Sequence, residues 1–140
     1  MMRKEIIVFD LDGTISDDRW RRHLIPDYDS YHFYCPLDEP VNQHLWNFDQ
    51  EKYSAIVITS RPEKYRAFTE LWLNKHGFLW TEIFMRPDEN VMTSPDLKKM
   101  LIEKVKGIYF NPKFKVAYDD RDDVLKAYQQ VDVPTEKVSI

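Results

Sequence analysis

Five apolar runs of strand length, alternating with segments of helical periodicity, constrain this chain more than any other feature. The runs are Glu5 to Leu11, Ser54 to Thr59, Leu79 to Phe84, Phe114 to Asp119 and Glu136 to Ile140. Their β-branched and aromatic content suits buried strands. Between them, Pro62 to His76 opens on a helix-start proline, repeats Tyr65, Phe68, Leu71 and Trp72 three and four apart, and stops at Gly77. Ser94-Pro95-Asp96 reads as an N-cap, a first-turn proline and an acidic first turn. Leu97, Leu101, Ile102 and Val105 then share one face, with Gly107 at the end. Val124, Tyr128 and Val131 mark a last helix, and Pro40 to Glu51 a weaker one. Such alternation folds with right-handed crossovers into a mostly parallel sheet. The expected fold is α/β, a three-layer doubly wound sandwich.

The 140 residues read as a single domain, because no repeat, low-complexity tract or Gly/Ser linker divides them. Hydrophobic residues at 43% and aromatics at 14% can fill a core, which argues against disorder. Ser16 to Asp38 fits the alternation poorly, within an insert or small cap over residues 16–50. Arg19-Trp20-Arg21-Arg22-His23 and then Tyr28, Tyr31, His32, Phe33 and Tyr34 crowd between turn-forming residues. An insert or small cap outside the sheet is expected there, directly after the first strand, where open α/β sheets bind ligands. The longest wholly apolar runs, Ile6 to Phe9 and Ala55 to Ile58, fall far short of a membrane span. No signal-peptide core follows the basic start. The single Cys35 has no internal disulfide partner. A cytoplasmic protein with no membrane partner is expected, whose oligomeric state leaves no mark in the sequence.

Phe9-Asp10-Leu11-Asp12-Gly13-Thr14 places two carboxylates where a buried strand ends, both projecting to one side of the exiting chain. Carboxylates at the apolar mouth of a sheet are costly unless paired, hydrogen-bonded or bound to a cation. Tyr118-Asp119-Asp120-Arg121-Asp122-Asp123 supplies a second acidic cluster, and two such strand ends can sit side by side at a switch point. An all-oxygen ligand set there favours Mg²⁺. Thr59 ends the second strand run, and its hydroxyl with nearby backbone N–H groups can take phosphate oxygens. Lys98 lies in the first two turns of the helix opened by Ser94 and can reach the same point as a positive charge.

The order Asp-x-Asp-Gly-Thr, a strand ending in Thr, Lys and then Asp-Asp resembles the haloacid dehalogenase (HAD) superfamily of aspartate-nucleophile phosphatases over nearly the whole chain. Thr59-Ser60-Arg61 and Asp119-Asp120-Arg121 are most similar to the 3′-phosphatase domains of phage polynucleotide kinase/phosphatases. The chain has no Gly-x-x-x-x-Gly-Lys loop, and Ser60 stands where those relatives have glycine. The resemblance implies a Rossmann-like core in which Asp10 attacks phosphorus to form an aspartyl-phosphate. Asp12, kept protonated, would protonate the leaving oxygen and then deprotonate water. Mg²⁺ would be held by Asp10, the Asp12 backbone carbonyl and Asp120, with Asp119 beside it. Thr59 and Lys98 would stabilise the transferring group. Thr14, Thr59, Ser60, Arg61 and Arg19 are the candidate substrate contacts, and the implied substrate is a 3′-phosphorylated polynucleotide or nucleotide end.

Each signal has a structural rival. Thr59 could cap the helix near Pro62, Lys99 lies one residue from Lys98, and Arg61 could pair with Glu63 on the surface. The amphipathic stripe and the Asp-x-Lys pattern favour Lys98. Asp122 and Asp123 suit a helix N-terminus. The Arg19 to His23 cluster could grip a nucleotide strand, or pack its aromatics on the core with its arginines in solvent. His32-x-x-Cys35 with His23 and His44 matches no ordinary zinc spacing. Competing functions are a (deoxy)ribonucleoside monophosphate 5′-nucleotidase, a phospho-acceptor signalling module and an inactive binding scaffold. In signalling modules, however, the paired acids follow the first strand and the acceptor comes later. The net charge of −4 does not exclude a polyanionic substrate. Eight of the 24 acids fall at residues 10, 12, 17, 18, 119, 120, 122 and 123, leaving 20 basic residues against 16 acids elsewhere.

Overall fold

The computed structural model describes residues 3–140. The chain runs through β1 (Glu5–Phe9), a short β2 (Ser16–Asp17), α1 (Tyr28–Phe33), β3 (Glu39–Pro40) and β4 (Tyr53–Pro62). It continues through α2 (Arg66–Lys75), β5 (Glu82–Arg86), α3 (Ser94–Ile108), β6 (Phe114–Asp119), α4 (Asp122–Gln130) and β7 (Thr135–Lys137). Five parallel strands form the main sheet in the order β5-β4-β1-β6-β7, and β2 and β3 pair as a separate antiparallel ribbon. β4 and β6 flank β1 on opposite sides, so the winding reverses there. The carboxyl ends of β1 and β6 therefore open side by side. This is the mostly parallel, Rossmann-like architecture that the alternation of runs predicts.

Alternation along β1 sorts the apolar residues into two cores. Ile6 and Val8 join Ile56 and Ile58 of β4 against Leu97, Leu101, Ile102 and Val105 of α3 and Val124 and Tyr128 of α4. Ile7 and Phe9 join Ala55 and Val57 on the opposite face, with Trp72 and Leu73 of α2, Phe78, and Trp46 and Phe48 from the segment before β4. Each fully buried aliphatic side chain there contributes about 1.5–3 kcal/mol, and both faces of β1 are anchored in this way.

Several boundaries differ from the sequence expectation. Residues Pro40 to Glu51 hold only one 3₁₀ turn, Gln43–Trp46; Pro40 pairs with Ser16 instead, and Asn42 takes a left-handed φ of 52°. β4 runs on through Pro62, and a 3₁₀ turn, Glu63–Tyr65, precedes α2. β5 begins at Glu82 rather than Leu79, because Phe78 turns inward edge-on to Phe9 at 5.0 Å while Leu79 faces solvent. Thr93, not Ser94, caps α3, and Gly107 lies inside that helix rather than at its end. β7 stops at Lys137, short of Ile140.

Between β1 and β4, α1 places His32 against the rings of Tyr31 at 4.9 Å and Tyr65 at 5.4 Å, with Nδ1 buried and unpartnered among the described residues. Burial, opposed by Asp12 and reinforced by Arg61 and Arg21, pushes its pKa down to about 4. The unfolded chain, with an ordinary histidine near 6.5, binds the extra proton between these values. Stability is thus complete above about pH 6.5 and falls by about 3 kcal/mol as pH drops to 4. Urea midpoints at pH 7.5 and 4.5 should show this slope shrinking in His32→Phe; equal slopes in both proteins would place the acid sensitivity elsewhere.

Candidate active site

Asp10 is the first residue past β1, with its backbone N–H still on the Tyr118 carbonyl of β6 at 3.1 Å. The chain then turns so tightly that the N–H groups of Thr14, Ile15 and Ser16 all reach the Leu11 carbonyl at 3.0 Å. Gly13 supplies the positive φ of +88° that this turn requires. Thr14 is folded back, and its hydroxyl donates to Asp10 Oδ2 at 2.9 Å. Asp10, Asp12 and Thr14 thus occupy one strand-to-loop corner.

Lys98, in the second turn of α3, is buried and donates to Asp10 Oδ1 at 2.8 Å and Asp119 Oδ2 at 2.7 Å. Its rival Lys99 reaches Gln130 on the surface instead. Asp119 is fully buried, and its second oxygen accepts the Arg121 backbone N–H at 3.1 Å. Burial and the charge of Asp119 push the Asp10 pKa up, against the pull of Lys98. Burial alone would lower the Lys98 pKa, but Asp10 and Asp119 outweigh it and push it up, so the ammonium stays charged.

One ammonium does not neutralise this corner. Carboxylate oxygens of Asp10, Asp119 and Asp120 lie within 4.8 Å of one another, and Asp120 Oδ1 is buried without a donor among the described residues. Three converging carboxylates, one with an orphaned oxygen, are the donor set of a hard divalent cation, and these residues fit such an ion. A Cβ on Gly13 would stand 2.3 Å from Asp120 Oδ2. Gly13→Ala should therefore displace Asp120, costing about 1 kcal/mol in backbone conformation. It should also weaken binding of a divalent cation at this corner about tenfold, read by titration of the protein with the metal; unchanged binding would detach Asp120 from the cation site.

The Asp12 carboxylate stands apart from that group. It accepts from Arg61 Nη2 at 2.6 Å and Nε at 3.1 Å, and from Arg21 Nη2 at 2.5 Å. Burial would raise its pKa, but the guanidiniums of Arg61 and Arg21 hold it below the usual carboxylate range. Asp12 is therefore ionised, in contrast to the protonated carboxyl expected from the sequence. Both arginines are fully buried, and Asp38 anchors Arg21 through two further bonds at 2.8 and 2.7 Å. Ser16 and Trp20 also donate to Asp38, at 2.5 and 2.9 Å.

The remaining candidates divide. Arg61 is buried against Asp12 and Thr69, and Glu63 pairs with Arg66 instead. Thr59 is buried at the same strand end, its hydroxyl accepting the Arg61 N–H at 3.1 Å. Ser60 Oγ lies 2.8 Å from Ser94 Oγ at the start of α3. Arg19 is not drawn in: it is exposed and forms a bidentate pair with Asp17. Its neighbours reach inward in its place, Arg21 to Asp12 and Arg22 to Asp18, with Asp120 at 4.0 Å. Arg21 and Asp38 escape sequence reasoning; the only signal is the basic crowding at residues 19–23. Asp122 and Asp123 open α4, as their placement predicts.

The family model for the polynucleotide kinase PNKP phosphatase domain matches residues 4–139. Among solved structures, a chain of the Pnkp1/Rnl/Hen1 RNA repair complex superposes with a TM-score of 0.81 at 21% identity, over 96% of this chain and 42% of that one. A chain of a second Pnkp1/Rnl/Hen1 complex gives 0.79 at 23% identity, over 99% and 47%. The present chain thus spans less than half the length of these two. A HAD-superfamily hydrolase of subfamily IA from Geobacter sulfurreducens gives 0.60 at 11% identity, over 94% of this chain and 85% of that one. No curated protein matches the chain. The structural likeness establishes the fold, and the family match extends over every residue that builds the carboxylate corner. The chain belongs to the HAD family of polynucleotide kinase PNKP phosphatase domains, and it is a phosphatase.

Proposed function

We propose that this phosphatase is a Mg²⁺-dependent phosphomonoesterase that removes 3′-phosphates from polynucleotide ends through an aspartyl-phosphate on Asp10. The observation that supports this most is Asp10 itself, buried where Lys98, Thr14 and the Asp119-Asp120 pair converge. Hydrogen bonds to both of its oxygens hold the carboxylate in one orientation, so little freedom is lost on approach to phosphorus. Asp10, Asp119 and Asp120 would hold Mg²⁺, which when bound offsets repulsion between the carboxylate and the anionic phosphate.

Asp10 attacks phosphorus, the bond to the leaving oxygen breaks, and that oxygen takes up a proton. Thr59 and Lys98 stabilise charge on the transferring group. Water then displaces Asp10 from phosphorus, giving up its proton to Asp12. Asp12 is ionised and can accept that proton, although its two guanidiniums lower its basicity, so the step is worth no more than roughly 10²–10⁴-fold. The first proton then enters on the substrate, since a phosphomonoester loses its second proton at a pH of about 6. Accordingly kcat/KM should fall as pH rises above about 6; a profile flat to pH 8 would show that the protein supplies the proton.

Support for a polynucleotide substrate comes from the family match and from the basic, aromatic segment beside Asp12. Turnover of 3′- and 5′-phosphorylated oligonucleotides and of nucleoside monophosphates, with Mg²⁺ and with chelator, tests it. The 3′-phosphorylated oligonucleotide should be preferred and chelator should abolish turnover. Preference for 5′-mononucleotides would favour a nucleotidase.

A further inference from the structure

One guanidinium at the carboxyl edge of the sheet takes no part in the chemistry above. Arg86 closes β5, in register with Pro62 of β4. Its Nε donates to the Ser60 carbonyl at 3.0 Å, and its Nη1 to the Met92 carbonyl at 2.7 Å and to the Asn90 carbonyl and Oδ1 at 3.2 and 3.1 Å. All of these acceptors are neutral. Arg19, Arg21, Arg22, Arg61, Arg66 and Arg121 each pair with a carboxylate. Among the described residues Arg86 has no carboxylate within 4.0 Å, and its Nη2 has no hydrogen-bond acceptor. Burial lowers its pKa, opposed by the phenol of Tyr28. Tyr28 is itself 57% exposed, with its ring stacked on His32 at 6.3 Å.

This position adjoins the candidate active site. Ser60, which accepts from Arg86, lies between Thr59 and Arg61, and Arg61 binds Asp12. β5 lies two strands from β1, about 10 Å across the sheet, which the next link of a polynucleotide chain can span. A half-buried cation pinned by carbonyls, with one nitrogen open and no anion, is preorganised for a phosphate oxygen. Lys64 joins the two segments, its ammonium donating to Asp29 next to Tyr28 at 2.7 Å and its backbone N–H to Asp88, two residues past Arg86, at 2.9 Å, and the exposed Tyr28 ring offers a face on which any base can stack.

We propose that Arg86 and Tyr28 form the subsite for the nucleotide adjoining the terminal 3′-phosphate: Arg86 Nη2 donates to the neighbouring phosphodiester, and the Tyr28 ring stacks on a base. The subsite rests on the polynucleotide reading above and gives it a physical basis, because a mononucleotide has no second phosphate to offer. Phosphate contact and stacking are both sequence-tolerant, so the subsite selects for chain rather than for base.

The test measures kcat/KM for a 3′-phosphorylated tetranucleotide and for the matching nucleoside 3′-monophosphate, at several salt concentrations, in wild type, Arg86→Gln and Tyr28→Leu. Each substitution should lower the ratio of oligonucleotide to mononucleotide kcat/KM about tenfold. Arg86→Gln should also reduce the slope of log kcat/KM against log salt by about 0.7, the share of one phosphate on a single strand. Tyr28→Leu should leave that slope in place. Arg86→Gln also frees the Ser60 and Met92 carbonyls; should that unfold the chain, the ratio in Tyr28→Leu decides. An unchanged ratio, or equal losses on both substrates, overturns the subsite and leaves the 3′-phosphatase reading intact. A wild type that cleaves mononucleotides but no oligonucleotide overturns that reading and the subsite with it.

Discussion

Lys98→Met should destabilise the protein by about 3–5 kcal/mol and abolish hydrolysis at the same time. The methionine fills the volume but leaves Asp10 and Asp119 buried without the ammonium that both accept from, at 2.8 and 2.7 Å. Two like charges in an apolar corner must then protonate, draw in water or unfold, and the loss is a large part of an ordinary stability of about 5–15 kcal/mol. Urea unfolding at pH 7 should show a lowered midpoint with an unchanged slope. The deficit should shrink toward pH 5, because Asp10, its pKa already pushed up by burial and by the charge of Asp119, takes up a proton and removes one of the two unpaired charges. Lys99→Met, one residue on but turned toward Gln130, serves as control and should stay within about 0.5 kcal/mol of wild type. Equal stability of the Lys98 and Lys99 variants would mean that the ammonium does not hold this corner together.

Asp10→Asn should have the opposite balance, with hydrolysis falling roughly 10⁴-fold or more and the fold retained. An amide in place of the carboxylate still accepts from Lys98 and faces Thr14, while one of three crowded negative charges is removed. Its stability should therefore change by no more than about 1 kcal/mol. Wild type quenched during turnover of ³²P-labelled substrate should carry label on the denatured chain, and Asp10→Asn should carry none. Hydrolysis surviving in Asp10→Asn would move the nucleophile elsewhere.

The parts of this corner differ in how far they can be read from sequence. Asp10, Asp12, Gly13 and Thr14 are contiguous, and an apolar strand that ends in two acids and a glycine specifies their local geometry by itself. Lys98 is separable from Lys99 because an amphipathic helix has only one face to bury. Asp119 and Asp120 follow the same logic as Asp10. Arg21 and Asp38 have no such local signature. Arg21 meets Asp12 across 9 residues of irregular chain, Asp38 meets Arg21 across 17, and Arg61 arrives at Asp12 from 49 residues away. Nothing in the composition of an Arg-rich turn says which arginine is buried, and neither hydrophobic periodicity nor propensity describes the 3₁₀ helix, Arg19–Leu24, that carries Arg21. The ionised state of Asp12 depends wholly on these long-range partners.

The layered α/β fold, the strand that carries Asp10 and the two acidic strand ends are readable from the residues alone, because period and turn chemistry are local properties of the chain. Which cation stands beside which carboxylate emerges in the folded molecule: Lys98 with Asp10 and Asp119, Arg21 and Arg61 with Asp12, and Arg86 with no carboxylate among the described residues. The pairing of charges follows from distance and burial in the folded molecule. Neither quantity exists until strands distant in the sequence lie side by side.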